Sequence, residues 1–127
     1  MLYLSFIWHM HQPYYRDLAS GDIELPWVRL HGIKDYLYMV KILGYYPNIR
    51  QTFNLVPSLI EQIAAYTQGA QDKYQKISYK KALDLSIEEK KFILERFFSI
   101  NLGNVISIYP RYYQLYLKKE AGKEFST

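Results

Sequence analysis

The sequence predicts an α/β fold: two parallel strands, then mostly helix. Three observations predict it. Residues 2–8 form an unbroken, aromatic-rich apolar run, the pattern of a strand buried on both faces in a parallel sheet. A helical stretch and a second short strand follow, and strand, helix, strand in that order makes a βαβ unit with a right-handed crossover. Beyond residue 57 the apolar positions recur at helical spacing.

The first strand runs into Trp8-His9-Met10-His11-Gln12-Pro13, and Pro13 cannot continue a ladder. Residues 13–30 read as a loop punctuated by Pro13, Ser20-Gly21-Asp22 and Pro26. A loop this long inside a domain is usually functional. Ile33, Tyr36, Leu37, Val40 and Leu43 then share one face of a helix from about Gly32 to Leu43, with Gly44 as its C′ residue and Pro47 as a stop. Arg50 to Asn54 is the second strand. Asn54 is placed to cap the next helix, with Pro57 in its first turn. Val56, Ile60, Ile63 and Ala64 give that helix an apolar face, and Gly69 ends it.

Residues 70–77 read as polar linker and Ser78 to Asp84 as a short helical piece. Ser86-Ile87-Glu88-Glu89 is a capping box. It opens a helix whose stripe is Ile93, Phe97 and Ile100, flanked by Leu94 and Phe98 and closed by Gly103. Tyr109-Pro110-Arg111-Tyr112-Tyr113 opens a last helix, and Ala121 to Thr127 reads as a disordered tail. The whole of 1–127 is taken as a single partial domain. Two parallel strands cannot make a stable sheet alone, so something else completes it or the chain associates with copies of itself.

Composition removes several function classes. Half of the residues are apolar and 17% are aromatic, which excludes a disordered chain. With no Cys there is no disulfide scaffold, Cys-based zinc module or thiol nucleophile. No apolar run approaches the roughly 18 residues that span a bilayer. The apolar start lacks a basic leader and a small-residue cleavage site, so a cytoplasmic location is expected. Up to Ile63 the charges balance: Arg16, Arg29, Lys34, Lys41 and Arg50 offset Asp17, Asp22, Glu24, Asp35 and Glu61. The net +4 therefore lies in the second half. Its lysines come as pairs among acids and tyrosines, which suits solvated helix faces better than a nucleic-acid surface. Neither nucleic acid nor membrane is expected as a partner.

All three His and both Trp fall within the first 31 residues. His9 and His11 are two apart on an extended segment, so they share a side. They stand at the C-terminal end of a parallel strand, where α/β folds hold their sites. Such a pair suits metal ligation or hydrogen bonding to a polar substrate; the plain alternative is a structural pair bonded to nearby backbone. Metal ligation needs a third ligand, and only His31 or a carboxylate such as Asp17, Asp22 or Glu24 could serve. Tyr14, Tyr15 and Trp27 could line a groove, since aromatic faces stack on sugars or bases. Asn54, ending the second strand, faces the same rim as His11. Asp35 and Glu61 read as surface charges. No Ser-His-Asp arrangement or phosphate-cradling glycine loop is present.

Four strings, in order, resemble glycoside hydrolase family 57. They are Phe6-Ile7-Trp8-His9-Met10-His11-Gln12-Pro13-Tyr14-Tyr15, the stretch from Leu25-Pro26-Trp27 through His31-Gly32 to Asp35-Tyr36, Thr52-Phe53-Asn54 through Glu61-Gln62-Ile63, and Tyr109-Pro110-Arg111-Tyr112. Together they cover residues 1 to about 117. The resemblance implies a retaining enzyme on α-1,4-glucans, an α-amylase, 4-α-glucanotransferase or branching enzyme, whose fold is an incomplete (β/α)7 barrel followed by helices. It implies substrate-binding roles for His9, His11, Gln12 and Trp27, to which position adds Asn54, and it requires no metal and no cofactor. Retention needs two carboxyl groups roughly 5–5.5 Å apart. Nothing here matches the family's nucleophile and acid motifs, so no catalytic residue is assigned and the chain alone is predicted inactive.

The expectation is thus an N-terminal fragment or subunit of such an enzyme. Its partners are an α-glucan or maltooligosaccharide and either a second copy or a chain carrying the missing strands. The alternatives are a metal-dependent hydrolase with an H-x-H site and a non-catalytic, barrel-completing subunit.

Overall fold

Strand β1 (Ile7–Met10) and strand β2 (Thr52–Leu55) pair in parallel in this computed structural model, which describes residues 2–125. Ile7 stands opposite Thr52, Trp8 opposite Phe53, His9 opposite Asn54 and Met10 opposite Leu55. The expected mixed α/β order of two parallel strands and helices is present. The chain divides into two compact units, one ending at Ser78 and the other starting at Tyr79.

The first strand is shifted from its expected position. It starts at Ile7 rather than Leu2: the bond from Thr52 N–H to the Phe6 carbonyl opens the ladder, and the register begins with Ile7 opposite Thr52. The apolar run is also not buried on both faces. Leu2 is 95% and Ile7 70% exposed, and only Met10 of β1 is buried. Two strands offer covering layers only near their C-terminal end. The second strand is likewise displaced, by two residues at its start and one at its end.

Between the strands the helix begins earlier than its apolar stripe suggests. Helix α1 (Trp27–His31) follows a buried Pro26 and runs into a π-helical turn (Gly32–Tyr36) and helix α2 (Leu37–Leu43). The loop is correspondingly shorter and has structure of its own. Arg16 bridges Ile23 in antiparallel fashion, and Ile23, buried, bridges Asp72 in parallel. Gly21, at φ +75°, makes the tight return that Arg16 clasps by donating from Nε to its carbonyl at 2.9 Å. Gly44 ends α2 in right-handed conformation, φ −59°, not as a left-handed C′ residue.

Helix α3 (Pro57–Thr67) has Pro57 at its first position, as expected, but its N-cap is Val56. Asn54 does not cap it: that residue stays in the ladder, with its side chain toward β1. Residues 70–77 are not linker either. Asp72 is fully buried, and helix α4 (Lys73–Ser78) starts directly after it. The core of this unit is Met10, Val28 and Leu59, with Tyr15, Tyr36, Met39, Phe53, Val56, Ile63 and Tyr66 packed around them. Each buried side chain of this size contributes about 1.5–3 kcal/mol, and the three join β1, α1 and α3 at the C-terminal end of the ladder.

In the second unit a 3-10 turn (Ala82–Asp84) precedes helix α5 (Ile87–Arg96), which carries the expected capping box: Ser86 Oγ accepts from Glu89 N–H and Glu89 accepts from Ser86 N–H. Helix α5 stops at Arg96, so Phe97 and Ile100 of the expected stripe lie beyond it. A second 3-10 turn (Ile106–Ile108), with Ile106 buried, leads to helix α6 (Pro110–Glu120), again with Pro at the first position. The Phe98 and Tyr112 rings stack at 5.4 Å, and Tyr112 Oη donates to the Phe97 carbonyl. The tail expectation includes residues 126 and 127, which lie outside the described residues, as does Met1.

Candidate functional site

The strongest concentration of polar chemistry lies at the C-terminal end of the two-stranded ladder. His9 and Asn54 are register partners, so their side chains leave the sheet on the same side. The Asn54 amide lies 3.3 Å from His9 Nδ1. An amide nitrogen can only donate, so Nδ1 accepts and the ring proton sits on Nε2. His11, one turn of pleat further, places its ring 5.7 Å from that of His9.

Gln12 is held from both ends. Its Nε2 donates to Tyr36 Oη at 3.0 Å, and its Oε1 accepts from Tyr15 Oη at 3.1 Å. Tyr36 Oη in turn donates to the His11 carbonyl at 3.2 Å. Burial raises the Tyr15 phenol pKa above its ordinary value, and neighbouring Tyr36 adds to this. Tyr15 therefore stays a donor at neutral pH. The half-buried Gln12 amide thus anchors the strand end to the π-helical turn.

The π-helical turn explains how Tyr36 reaches that far. An i→i+5 spacing brings residues 31 and 36 onto the same side, and the His31 and Tyr36 rings stand 6.3 Å apart. Trp27, at the start of α1, lies 6.2 Å from His31 between ring centroids. His31 Nδ1 meets Asp35 Oδ2 at 2.5 Å, and this bond, ahead of Lys34 at 3.5 Å, holds the Asp35 carboxyl below its usual range. Asp35 is therefore not an idle surface charge. Nor is Glu61, whose Oε1 accepts from Tyr14 Oη at 2.7 Å and raises the Tyr14 phenol pKa.

Of the five expected binding residues, His9, His11 and Asn54 come together directly, Gln12 is joined to them through backbone and Tyr36, and Trp27 is reached through His31. Sequence reasoning passed over two side chains that hold this arrangement. Gln62, 3% exposed, accepts from Tyr15 N–H at 2.8 Å and donates to the Pro13 and Ser58 carbonyls at 3.0 and 2.9 Å. Its signal was a polar residue at helical spacing between the apolar Leu59, Ile63 and Tyr66. Asp72 accepts from Arg29 Nε at 2.7 Å and from Tyr66 Oη at 3.2 Å. Burial, followed by the Asp72 charge, pushes the Tyr66 phenol strongly upward. In the string Gln71-Asp72-Lys73 nothing marked that carboxylate as buried.

The acidic side chains of the loop are engaged. Asp17 accepts from the N–H groups of Ala19 and Ser20 at 2.8 and 2.7 Å, Asp22 meets Lys76 at 2.6 Å and Glu24 meets Lys73 at 3.1 Å. The backbone bonds of Ser20 and Ala19 lower the Asp17 pKa, and Lys76 lowers that of Asp22. Among the described residues no three His, Cys, Asp or Glu side chains stand close enough to hold a metal ion, and no helix is long and apolar enough to cross a membrane.

The arrangement offers directed donors and acceptors, with the Trp27 indole reached through His31. The sequence profile of Glycosyl hydrolase family 57 matches residues 5–125, which spans the whole of this constellation. No curated protein and no solved structure matches the chain significantly.

Proposed function

The chain belongs to glycosyl hydrolase family 57, and from that premise we propose that it supplies the sugar-binding rim of a retaining enzyme acting on α-1,4-glucans. In this reading it is the N-terminal part of an incomplete barrel. His9 and His11 bond sugar hydroxyls, Asn54 orients His9, Gln12 braces the strand end and Trp27 stacks on a ring. The nucleophile and the acid come from strands that this chain does not provide.

The observation that carries the reading is the His9–Asn54 register pair at the C-terminal end of a parallel ladder, with His11 beside it. That is where α/β barrels assemble ligand sites from successive strand ends. Among the described residues β1 and β2 pair only with each other, and this, with the exposed Ile7 and Trp8, supports a sheet completed by further strands, on another chain or a second copy. The H-x-H metal reading has less support, since among the described residues no third ligand-type side chain joins the pair.

The test is titration with maltohexaose and, as control, cellohexaose, followed by the imidazole resonances. Saturable shifts at His9 and His11 with the α-linked sugar, lost in His9→Ala, are the expected result. No response to either sugar overturns the reading. Stoichiometric zinc, with a thermal midpoint that falls on chelation and returns with zinc, transfers it to the metal hydrolase. Sedimentation at micromolar concentration tests the open edges: association is expected, and a stable monomer counts against strand completion.

A further inference from the structure

We propose that His31 is a further sugar-contacting residue, with Asp35 as its positioning partner, and that it presents an acceptor where His9 presents a donor. This rests on the glucan-rim reading and extends it to a residue pair outside the five discussed there.

The inference follows from how each imidazole is held. Asn54 donates to His9 Nδ1, which leaves Nε2–H to donate outward. At His31 the neighbour is of the opposite kind. Asp35 Oδ2 can only accept, so Nδ1 carries the proton, and in the neutral imidazole Nε2 then keeps its lone pair. A carboxylate behind a histidine fixes both its tautomer and its ring orientation. About two-fifths of the His31 side chain remains accessible, so the lone pair is not consumed by burial.

Position supports the same conclusion. His31 lies between the Trp27 indole and the Tyr36 ring, and Tyr36 bonds the His11 carbonyl and the Gln12 amide. It is therefore one side chain removed from the end of β1. The π-helical turn from Gly32 to Tyr36 is the local irregularity that sets His31, Asp35 and Tyr36 together, and such turns are frequent at functional sites. Every sugar hydroxyl both donates and accepts. Each hydroxyl proton left unpaired in the bound state has a cost, and an oriented Nε2 acceptor offers it a further partner.

The test is long-range 15N–1H spectroscopy of the histidine rings in the full chain, with and without maltohexaose. Wild-type His31 should carry its proton on Nδ1, and its Nε2 should shift on titration together with the His9 and His11 rings. Asp35→Ala should release the tautomer and weaken binding about two- to tenfold. Asp35→Asn, whose Oδ1 still accepts from Nδ1–H, should restore both, which a merely structural loss at α1 would not predict. A wild-type His31 protonated on Nε2 overturns the proposal. So does a His31 that stays still while His9 and His11 respond, and that outcome leaves the glucan-rim reading standing. If all three rings stay still, both readings fall.

Discussion

His9 and Asn54 face each other across the parallel ladder, and the Asn54 amide reaches His9 Nδ1 at 3.3 Å. Asn54 sits where a helix cap is expected, yet it spends its side chain on the neighbouring strand. The parallel register explains this: a residue directly opposite is nearer than the first helical turn, which starts three positions later at Pro57, with Val56 in the cap position.

Asn54→Ala should therefore disturb His9 more than the fold. Both groups are exposed, so the lost bond should cost no more than about 0.5–1.5 kcal/mol in stability. The proton of His9 should no longer be confined to Nε2, which imidazole nitrogen shifts read directly. A helix α3 that melts in this variant, by circular dichroism, contradicts the assignment.

Gln62→Leu should loosen the segment after the histidines. It preserves volume but orphans the Tyr15 N–H and the Pro13 carbonyl. Both bonds are only partly buried, so their loss should cost roughly 1–3 kcal/mol in all. The urea midpoint should fall accordingly, and the His11 ring resonances should shift, since Gln12 and Tyr15 are joined.

Arg29 and Asp72 should behave unequally. Asp72 is fully buried, while Arg29 keeps about a fifth of its side chain in contact with solvent. Arg29→Met strands a carboxylate and should cost about 3–5 kcal/mol. Asp72→Ala leaves a cation that can reach water and should cost less. Denaturation of both single variants and the double variant gives the coupling, and equal single costs would refute the asymmetry.

The capping box gives helix α5 a pH dependence. The hydroxyl of Ser86 lowers the Glu88 pKa and Lys80 lowers that of Glu89, both below the usual value of 4.5. Depressed carboxyls stabilise the folded state above that unfolded value, and the contribution disappears as pH falls through the lower folded values. Helicity at 222 nm should be flat near neutrality and decline as pH falls below 4.5. In Ser86→Ala the decline should be smaller, and the starting stability lower by about 1 kcal/mol.

Local signals were legible where one residue type fixes one geometry. Pro57 and Pro110 open helices, Ser86 and Glu89 close a reciprocal cap, and the strand, helix, strand order gives a parallel pair. What was not legible depends on partners distant in sequence. The apolar run from Leu2 forms a strand only where Thr52 begins to pair with it. Asp72 becomes a core residue because Arg29 and Tyr66 converge on it from two other helices. The π-helical turn gives no periodicity signal, because its apolar positions also fit an ordinary helix. His9 and His11 were visible as a pair, but the different partners that set the His9 and His31 tautomers appear only in three dimensions.

Retaining hydrolysis needs one carboxylate to attack and one protonated carboxyl to donate, roughly 5–5.5 Å apart. The Asp17 and Asp22 carboxyls are held below their usual range, away from what a proton donor requires. Their oxygens are bound by backbone N–H groups and by Lys76, and Glu24 is bound by Lys73. A nucleophile so engaged must first break those bonds. On the proposed reading the rim residues bind sugar, but binding ground state and transition state equally does not speed the chemical step. This chain should thus bind maltohexaose weakly and leave it intact over hours, as judged by chromatography of the products. Asp17→Ala and Glu24→Ala should leave binding unchanged. Turnover by the purified chain that either substitution abolishes would place the catalytic carboxylates in this loop and remove the need for further strands.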